Sequence, residues 1–143
     1  MLTSSVISAS DARRDWSSVF DSVLREKPAF IKRTRDYVFL SDLSILESLL
    51  SAYTLSAVKC VEDNGSITLS LDQIDLIENG PTEQEAMENL SSAILDYATD
   101  YYNEFVYWSR GDRKSHIPFV LKVLILNDIK KIGGLIECRH GGI

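Results

Sequence analysis

Apolar positions recur at two different periods along this chain, and the switches between them mark out its elements. From Ala12 they return at Trp16, Val19, Phe20 and Val23, every three or four residues, while Arg13, Arg14, Ser17, Ser18 and Asp21 stay off the stripe. A repeat near 3.6 predicts an amphipathic helix with one face toward a core. Ser8, three residues before Asp11, forms a capping box, so the helix is expected to start there and to end before Pro28. Ala29 to Arg33 and Tyr37 to Ser41 are short runs rich in aromatic and branched residues, separated by the polar Thr34, Arg35 and Asp36. They predict a hairpin. A second short helix, capped by Ser41 or Asp42, should follow, with Leu46, Leu49, Leu50 and Tyr53 facing inward.

Beyond Tyr53 the pattern begins again. Thr54 to Val61 and Ser66 to Leu71 alternate on either side of Asp63-Asn64-Gly65, a strong turn signal, which predicts a second hairpin. Ile74 to Ile77 reads as a further short strand closed by Asn79-Gly80. Thr82 and Glu85 then form a capping box for the longest helix. Its packed face is Ala86, Leu90, Ala93, Ile94, Tyr97, Tyr101 and Phe105, with Glu88, Ser92, Asp96 and Asp100 outside. Tyrosines at that spacing read as core. Ser109 to Ser115 has the chemistry of a charged loop, followed by the apolar run Phe119 to Leu126. Asn127 or Asp128 should cap a last short helix through Ile132, stopped by Gly133-Gly134.

The fold class expected is α+β. A helix-hairpin-helix unit over residues 1–53 precedes a small antiparallel sheet packed on one long helix over residues 54–143. The first unit would bury too little surface to be stable alone, so pairing with a second copy, a homodimer, is the expected remedy.

The 143 residues are 45% apolar and 9% aromatic, a folding composition. The longest apolar run, Phe119 to Leu126, is short of a membrane span and contains Lys122. Met1 to Ser10 lacks the basic start and apolar centre of a secretory signal, so a cytoplasmic protein with no membrane partner is expected. Cys60 and Cys138 are then expected to stay reduced. Cys138 and His140, with only Cys60 and His116 besides, do not make a zinc-binding pattern, and no metal or other cofactor is expected.

The net charge of -6 argues against nucleic-acid binding only until it is divided. Residues 1–53 hold seven of the fifteen basic and seven of the twenty-one acidic residues, leaving eight basic against fourteen acidic downstream. All the excess negative charge lies in the second part, which suits a basic partner and suits phosphate poorly.

The order Ser8, Asp11-Ala12-Arg13, Trp16, Val19 to Phe20, Val23, then Ala29-Phe30-Ile31-Lys32-Arg33-Thr34-Arg35, Val38 to Ser41 and Leu46 resembles the Phd/YefM antitoxins over nearly all of residues 3–53. The resemblance implies a dimer whose paired N-terminal helices and basic turn contact operator DNA. It would place Arg13, Arg14, Lys32, Arg33 and Arg35 at phosphates or bases. In the second part, three strands and a long helix, with Asp63-Asn64-Gly65 and Gly80-Pro81-Thr82 leading into Glu85-Ala86, resemble the partial ribonuclease-H-like domain of HicB antitoxins. There it comes before a DNA-binding segment, so the order here is reversed. Together the two resemblances imply the antitoxin of a type II toxin-antitoxin pair. It would repress its own operon and hold a cognate, RNA-cleaving toxin with residues 54–143.

Two other readings remain open at this level. A ribonuclease-H-like sheet could carry a metal-dependent nuclease, for which Glu62, Asp63, Asp72 and Asp75 are the candidate carboxylates. Turn formation and solubility account for them better, since Asp63 lies in a turn and Asp72 and Asp75 flank a strand end and need not converge. No glycine-rich phosphate loop, Gly-x-Ser-x-Gly elbow or Cys/His nucleophile pair appears, so catalysis is not expected. An acidic interaction module that never touches DNA is the third reading, and the basic N-terminal cluster is what distinguishes it from an antitoxin.

Overall fold

A computed structural model describes residues 6–141 of the chain, which divides into two compact units, residues 1–49 and 50–143. The start of the Phd/YefM resemblance at residues 3–5 and half of the Met1 to Ser10 segment lie outside the described residues. The division falls at Leu49, four residues before the expected boundary at Tyr53.

In the first unit, strand β1 (Val6–Ser8) runs into helix α1 (Ala9–Arg14). The Asp11 amide donates to Ser8 Oγ at 3.1 Å, as the capping pattern predicts. The single helix expected through this region is instead two. Asp15 leaves helical geometry at φ -111°, ψ 36°, and α2 (Trp16–Arg25) restarts directly after it. Strands β2 (Ala29–Arg33) and β3 (Asp36–Leu40) form the expected hairpin, with a tighter turn than the sequence suggested. Asp36 pairs with Arg33 in the ladder, so the turn is Thr34-Arg35 alone, with Thr34 at φ +58°. A β-branched residue rarely takes that conformation. β1 lies parallel to β2, with Val6 opposite Phe30 and Ser8 opposite Lys32. Three residues are too few to show a period, which is why this strand left no signal.

Ala12, Val19, Val23 and Ala29 form the buried centre of this unit, with Ile7, Ile31 and Leu40 half-buried around them. Trp16 and Phe20, expected on the packed stripe, are instead 48% and 44% exposed. Helix α3 (Leu43–Leu49) likewise departs from expectation, because none of its residues is fully buried and Leu49 is largely exposed. Leu50 is buried but belongs to the second unit, and there Tyr53 meets Phe119 edge-on at 5.7 Å.

The second unit is a sheet covered by helices. β4 (Leu55–Val61) and β5 (Ile67–Leu71) are antiparallel around Gly65, whose φ of +85° suits a residue without Cβ. The next strand, β6 (Ile77–Gly80), starts where the expected one ended. A tight turn displaces it: the Leu76 amide bonds back to the Ile74 carbonyl, and Ile74 enters the core. Helix α4 (Glu83–Asn103) is capped by Thr82, which accepts from the Glu85 amide. It buries Ala86, Leu90, Ile94, Ala98 and Tyr101 against Leu55, Ala57, Leu69, Val120 and Ile132.

The expected long helix ends early, and Phe105, expected on its packed face, instead starts a separate short helix, α5 (Phe105–Trp108), and is partly exposed. The segment expected as a charged loop, Ser109 to Ser115, is largely ordered into a 3-10 turn (Gly111–His116). The apolar run becomes α6 (Ile117–Leu126), ended by Asn127 at φ +44°. Its one charge is satisfied: Lys122 Nζ donates to the carbonyls of Tyr53 (2.7 Å) and Leu50 (3.3 Å). Asp128 caps α7 (Ile129–Leu135), which runs through Gly133-Gly134 rather than stopping there. Strand β7 (Ile136–His140) follows and joins β4 in parallel, giving the order β6-β5-β4-β7. The sheet is therefore mixed, not purely antiparallel. A parallel partner needs a long crossover, which the helices between β6 and β7 supply.

Candidate nucleic-acid interface

The basic residues singled out in the sequence lie on two elements of the first unit. Arg13 and Arg14 end α1, Lys32 and Arg33 end β2, and Arg35 is in the turn; all five are exposed. The β1/β2 pairing relates the two groups. Ser8, which caps α1, is the register partner of Lys32, so the helix starts beside the basic end of the hairpin. At 1.5 Å per residue, Arg13 and Arg14 are about 8–9 Å along the axis from that cap. Arg14 is drawn to Asp11 (2.9 Å) and Asp15 (3.5 Å). Lys32 lies 5.5 Å over the ring of Tyr37, its cross-strand partner. Exposed ion pairs and ring contacts of this kind are weak enough to exchange for phosphate.

The same unit exposes an apolar line of which the sequence reading named two members, Trp16 and Phe20, as packed, and did not name the third. Trp16, Phe20 and Leu24, four residues apart on α2, are each about half exposed, with the first two rings 5.9 Å apart. The signal was present: Leu24 continues the Trp16–Phe20 spacing on a line beside Ala12, Val19 and Val23.

The candidate carboxylates of the second unit do not assemble. Glu62 and Asp63 lie at the β4–β5 turn, Asp75 is exposed before β6, and Asp72 is engaged elsewhere. Arg139 on β7 holds both Asp72 oxygens, at 2.5 and 3.0 Å, and Ser56 Oγ donates to the same carboxylate at 2.5 Å. Among the described residues no three His, Cys, Asp or Glu side chains are grouped as metal ligands could be. Cys60 is an exposed free thiol. Cys138 is a half-buried one, its pKa pushed up by burial and by Glu83. His116 Nδ1 lies 2.7 Å from the Tyr97 hydroxyl, and burial, with Arg113 nearby, lowers its pKa.

Arg139, and then Ser56, hold the Asp72 carboxyl below its ordinary value. A lowered folded-state pKa adds stability above the unfolded value, which is lost as the pH falls through the folded one. Asp72→Asn is therefore expected to lower the urea midpoint at pH 7 by a few tenths of a molar unit. Solvent around the pair keeps the effect small. The variant should also show a flatter loss of stability below about pH 4. Urea titrations at pH 7 and pH 3 check this, and an unchanged midpoint at pH 7 would show that the pair does not hold β7 in place.

No helix among the described residues is long and apolar enough to cross a membrane. No curated protein matches the chain. A crystal structure from Syntrophomonas wolfei subsp. wolfei, described as an antitoxin part of a proposed toxin/antitoxin system, superimposes with a TM-score of 0.89. It is 34% identical, and the match covers 94% of this chain and 98% of that one. The family model named PHD-like, described as the antitoxin of RelE/RelB toxin-antitoxin systems, matches residues 1–138. Such proteins regulate a toxin rather than catalyse a reaction, and on a match of this extent the chain belongs to the PHD-like family of antitoxins.

Proposed function

We propose that this antitoxin works as a homodimer in the cytoplasm, with its two units dividing the task. The first, Phd/YefM-like in the order of its residues, binds operator DNA through Arg13, Arg14, Lys32, Arg33 and Arg35 and represses its own operon. The second, HicB-like in its strands and long helix, holds the cognate toxin.

The observation that carries the dimer is the size of the first unit's core. Ala12, Val19, Val23 and Ala29 are small, and four such side chains fall short of what ordering some forty-nine residues requires. The exposed line Trp16, Phe20 and Leu24 supplies the missing apolar surface once a second copy covers it. Two-fold pairing doubles the basic residues of α1 and the β2–β3 turn, the arrangement a palindromic site requires. The second unit holds eight basic and fourteen acidic residues, which favours a basic partner, as a toxin that grips RNA would be.

Titrating the protein against its own upstream DNA by fluorescence anisotropy, at two salt concentrations and with an unrelated duplex beside it, tests the repressor function. Specific binding that weakens steeply with salt is expected. Arg13→Ala should weaken it by roughly tenfold or more, consistent with about 1–3 kcal/mol for one lost guanidinium contact. Operator affinity unaffected by Arg13→Ala would remove that residue from the interface, and no preference for the operator would overturn the DNA half of the proposal.

A further inference from the structure

The end of the long helix in the second unit changes direction abruptly. Glu104, at φ -124° and ψ 51°, closes α4, and α5 restarts with Phe105. Phe105 and Trp108 close on Tyr101, at 5.6 and 6.3 Å between ring centres. The same bend leaves Tyr102, Val106 and Tyr107 outside, 60%, 66% and 57% exposed. Single exposed apolar side chains are ordinary, but three large ones within six residues are not.

Of these, Tyr107 is also held in place. Tyr107 stacks on Trp108 at 5.6 Å with 22° between the rings, and the Arg113 guanidinium lies 5.3 Å from Tyr107 and 4.6 Å from Trp108. The segment carrying Arg113 is tied down in turn, because the buried Tyr101 donates its hydroxyl to the Arg113 carbonyl at 2.5 Å. A ring fixed before binding loses little entropy when a partner covers it.

The charge beside this patch points to its occupant. Asp96 and Asp100 lie one turn apart on α4, and Glu104 follows at the next four-residue step just past its end, where its carbonyl accepts from the Tyr107 amide at 3.0 Å. Tyr102 sits on the other exposed flank of the helix end, with Val106 beyond it on α5. Residues 95–109 contain no Lys or Arg. The two flanks belong to one helix end, about 10–12 Å across, so a partner that clasps that end reaches the acidic and the apolar side chains together. We propose that the end of α4 together with α5 is the toxin-docking surface. Apolar groups of the toxin cover Tyr102, Val106 and Tyr107, and its Lys and Arg residues meet Asp96, Asp100 and Glu104. The assignment rests on the reading that the second unit holds a basic toxin. Nucleic acid is disfavoured by the acidic line. A second copy would bring its own acidic line against this one, at a cost in repulsion.

The test uses the full chain and an active-site-inactivated form of the toxin encoded in the same operon, with binding measured by titration calorimetry. Two variants are compared with the unaltered protein: Tyr102→Ser with Val106→Ser, and Asp96→Lys with Asp100→Lys. All four positions are exposed, and a urea midpoint within error of the unaltered chain's reports that the second unit of each variant has folded. The first variant is expected to lose about a hundredfold or more in toxin affinity, as removal of central aromatic and aliphatic contacts does. The second should lose about tenfold, mostly through slower association that no longer depends on salt. Toxin affinity within threefold of the unaltered chain in both variants overturns the docking surface while leaving the toxin-binding function intact. A dimer that dissociates in either variant assigns the surface to a second copy and overturns the proposal as well. Failure of the unaltered chain to bind the toxin overturns both.

Discussion

Phe20→Asp is expected to convert the proposed dimer to monomer at micromolar concentration and to weaken operator binding by roughly a hundredfold or more. Phe20 is the middle member of the exposed line Trp16, Phe20 and Leu24, and its ring lies 5.9 Å from that of Trp16. A buried Trp or Phe contributes some 150–250 Å² of contact, and at about 25 cal/mol per Å² the line supplies several kcal/mol to each protomer. A carboxylate at its centre removes part of that area and also places an unpaired charge in an apolar interface. The folded core of the first unit adjoins this line, at Val19 and Val23, but Phe20 itself is exposed, so the substitution borders the core without entering it. Sedimentation velocity gives the mass and anisotropy gives the operator affinity. A variant that stays dimeric and binds DNA normally would show that the subunits do not pair through this face of α2.

Gly80→Val is expected to destabilise the second unit at or beyond the ~3 kcal/mol upper range for over-packing. A Cβ at position 80 would stand 2.5 Å from the Ala86 amide nitrogen and 2.9 Å from both Ala86 Cα and the Glu85 carbonyl carbon. All three are backbone atoms, in the first turn of α4, and cannot move aside as a side chain can. Gly80 ends β6 opposite Ile67, so relief would require either the strand or the start of α4 to move. Ala86 itself is fully buried, and such a movement would reach the main core. Gly134 provides the contrast. It sits within α7 with nothing inside 4 Å of its missing Cβ, so Gly134→Ala should stabilise by about 0.5–1 kcal/mol through the lost freedom of the unfolded chain. Urea unfolding of the two variants, read at constant slope, should shift the midpoint in opposite directions. A Gly80→Val protein as stable as the parent would mean that α4 and β6 are not held at this distance.

The elements visible in advance were those whose signal is local. Ser8 and Thr82 cap their helices because a hydroxyl at that position finds the free amides of the first turn whatever else the chain does. Gly65 takes the turn because only the absence of a Cβ makes its conformation cheap, and the centre of the expected α4 face, Ala86, Leu90, Ile94 and Tyr101, is buried, while Phe105 at its end is not. Of the candidate site, the five basic residues could be named from the sequence, and all five are exposed. That α1 starts beside the basic end of the hairpin could not be read, because it depends on β1 pairing in parallel with a strand more than twenty residues away.

The sequence by itself determined the caps, the turns, the amphipathic faces and the uneven distribution of charge, each set by neighbours within a few residues. Tertiary structure decided the rest. It joined β7 to β4 across the whole helical crossover, assigned Leu50 to the second unit, and left Trp16 and Phe20 exposed on a helix whose period called for burial. The physical reason is the same in each case. Periodicity shows which side chains share a face, but whether that face meets its own chain, a second copy or another protein depends on the surface folding brings opposite it.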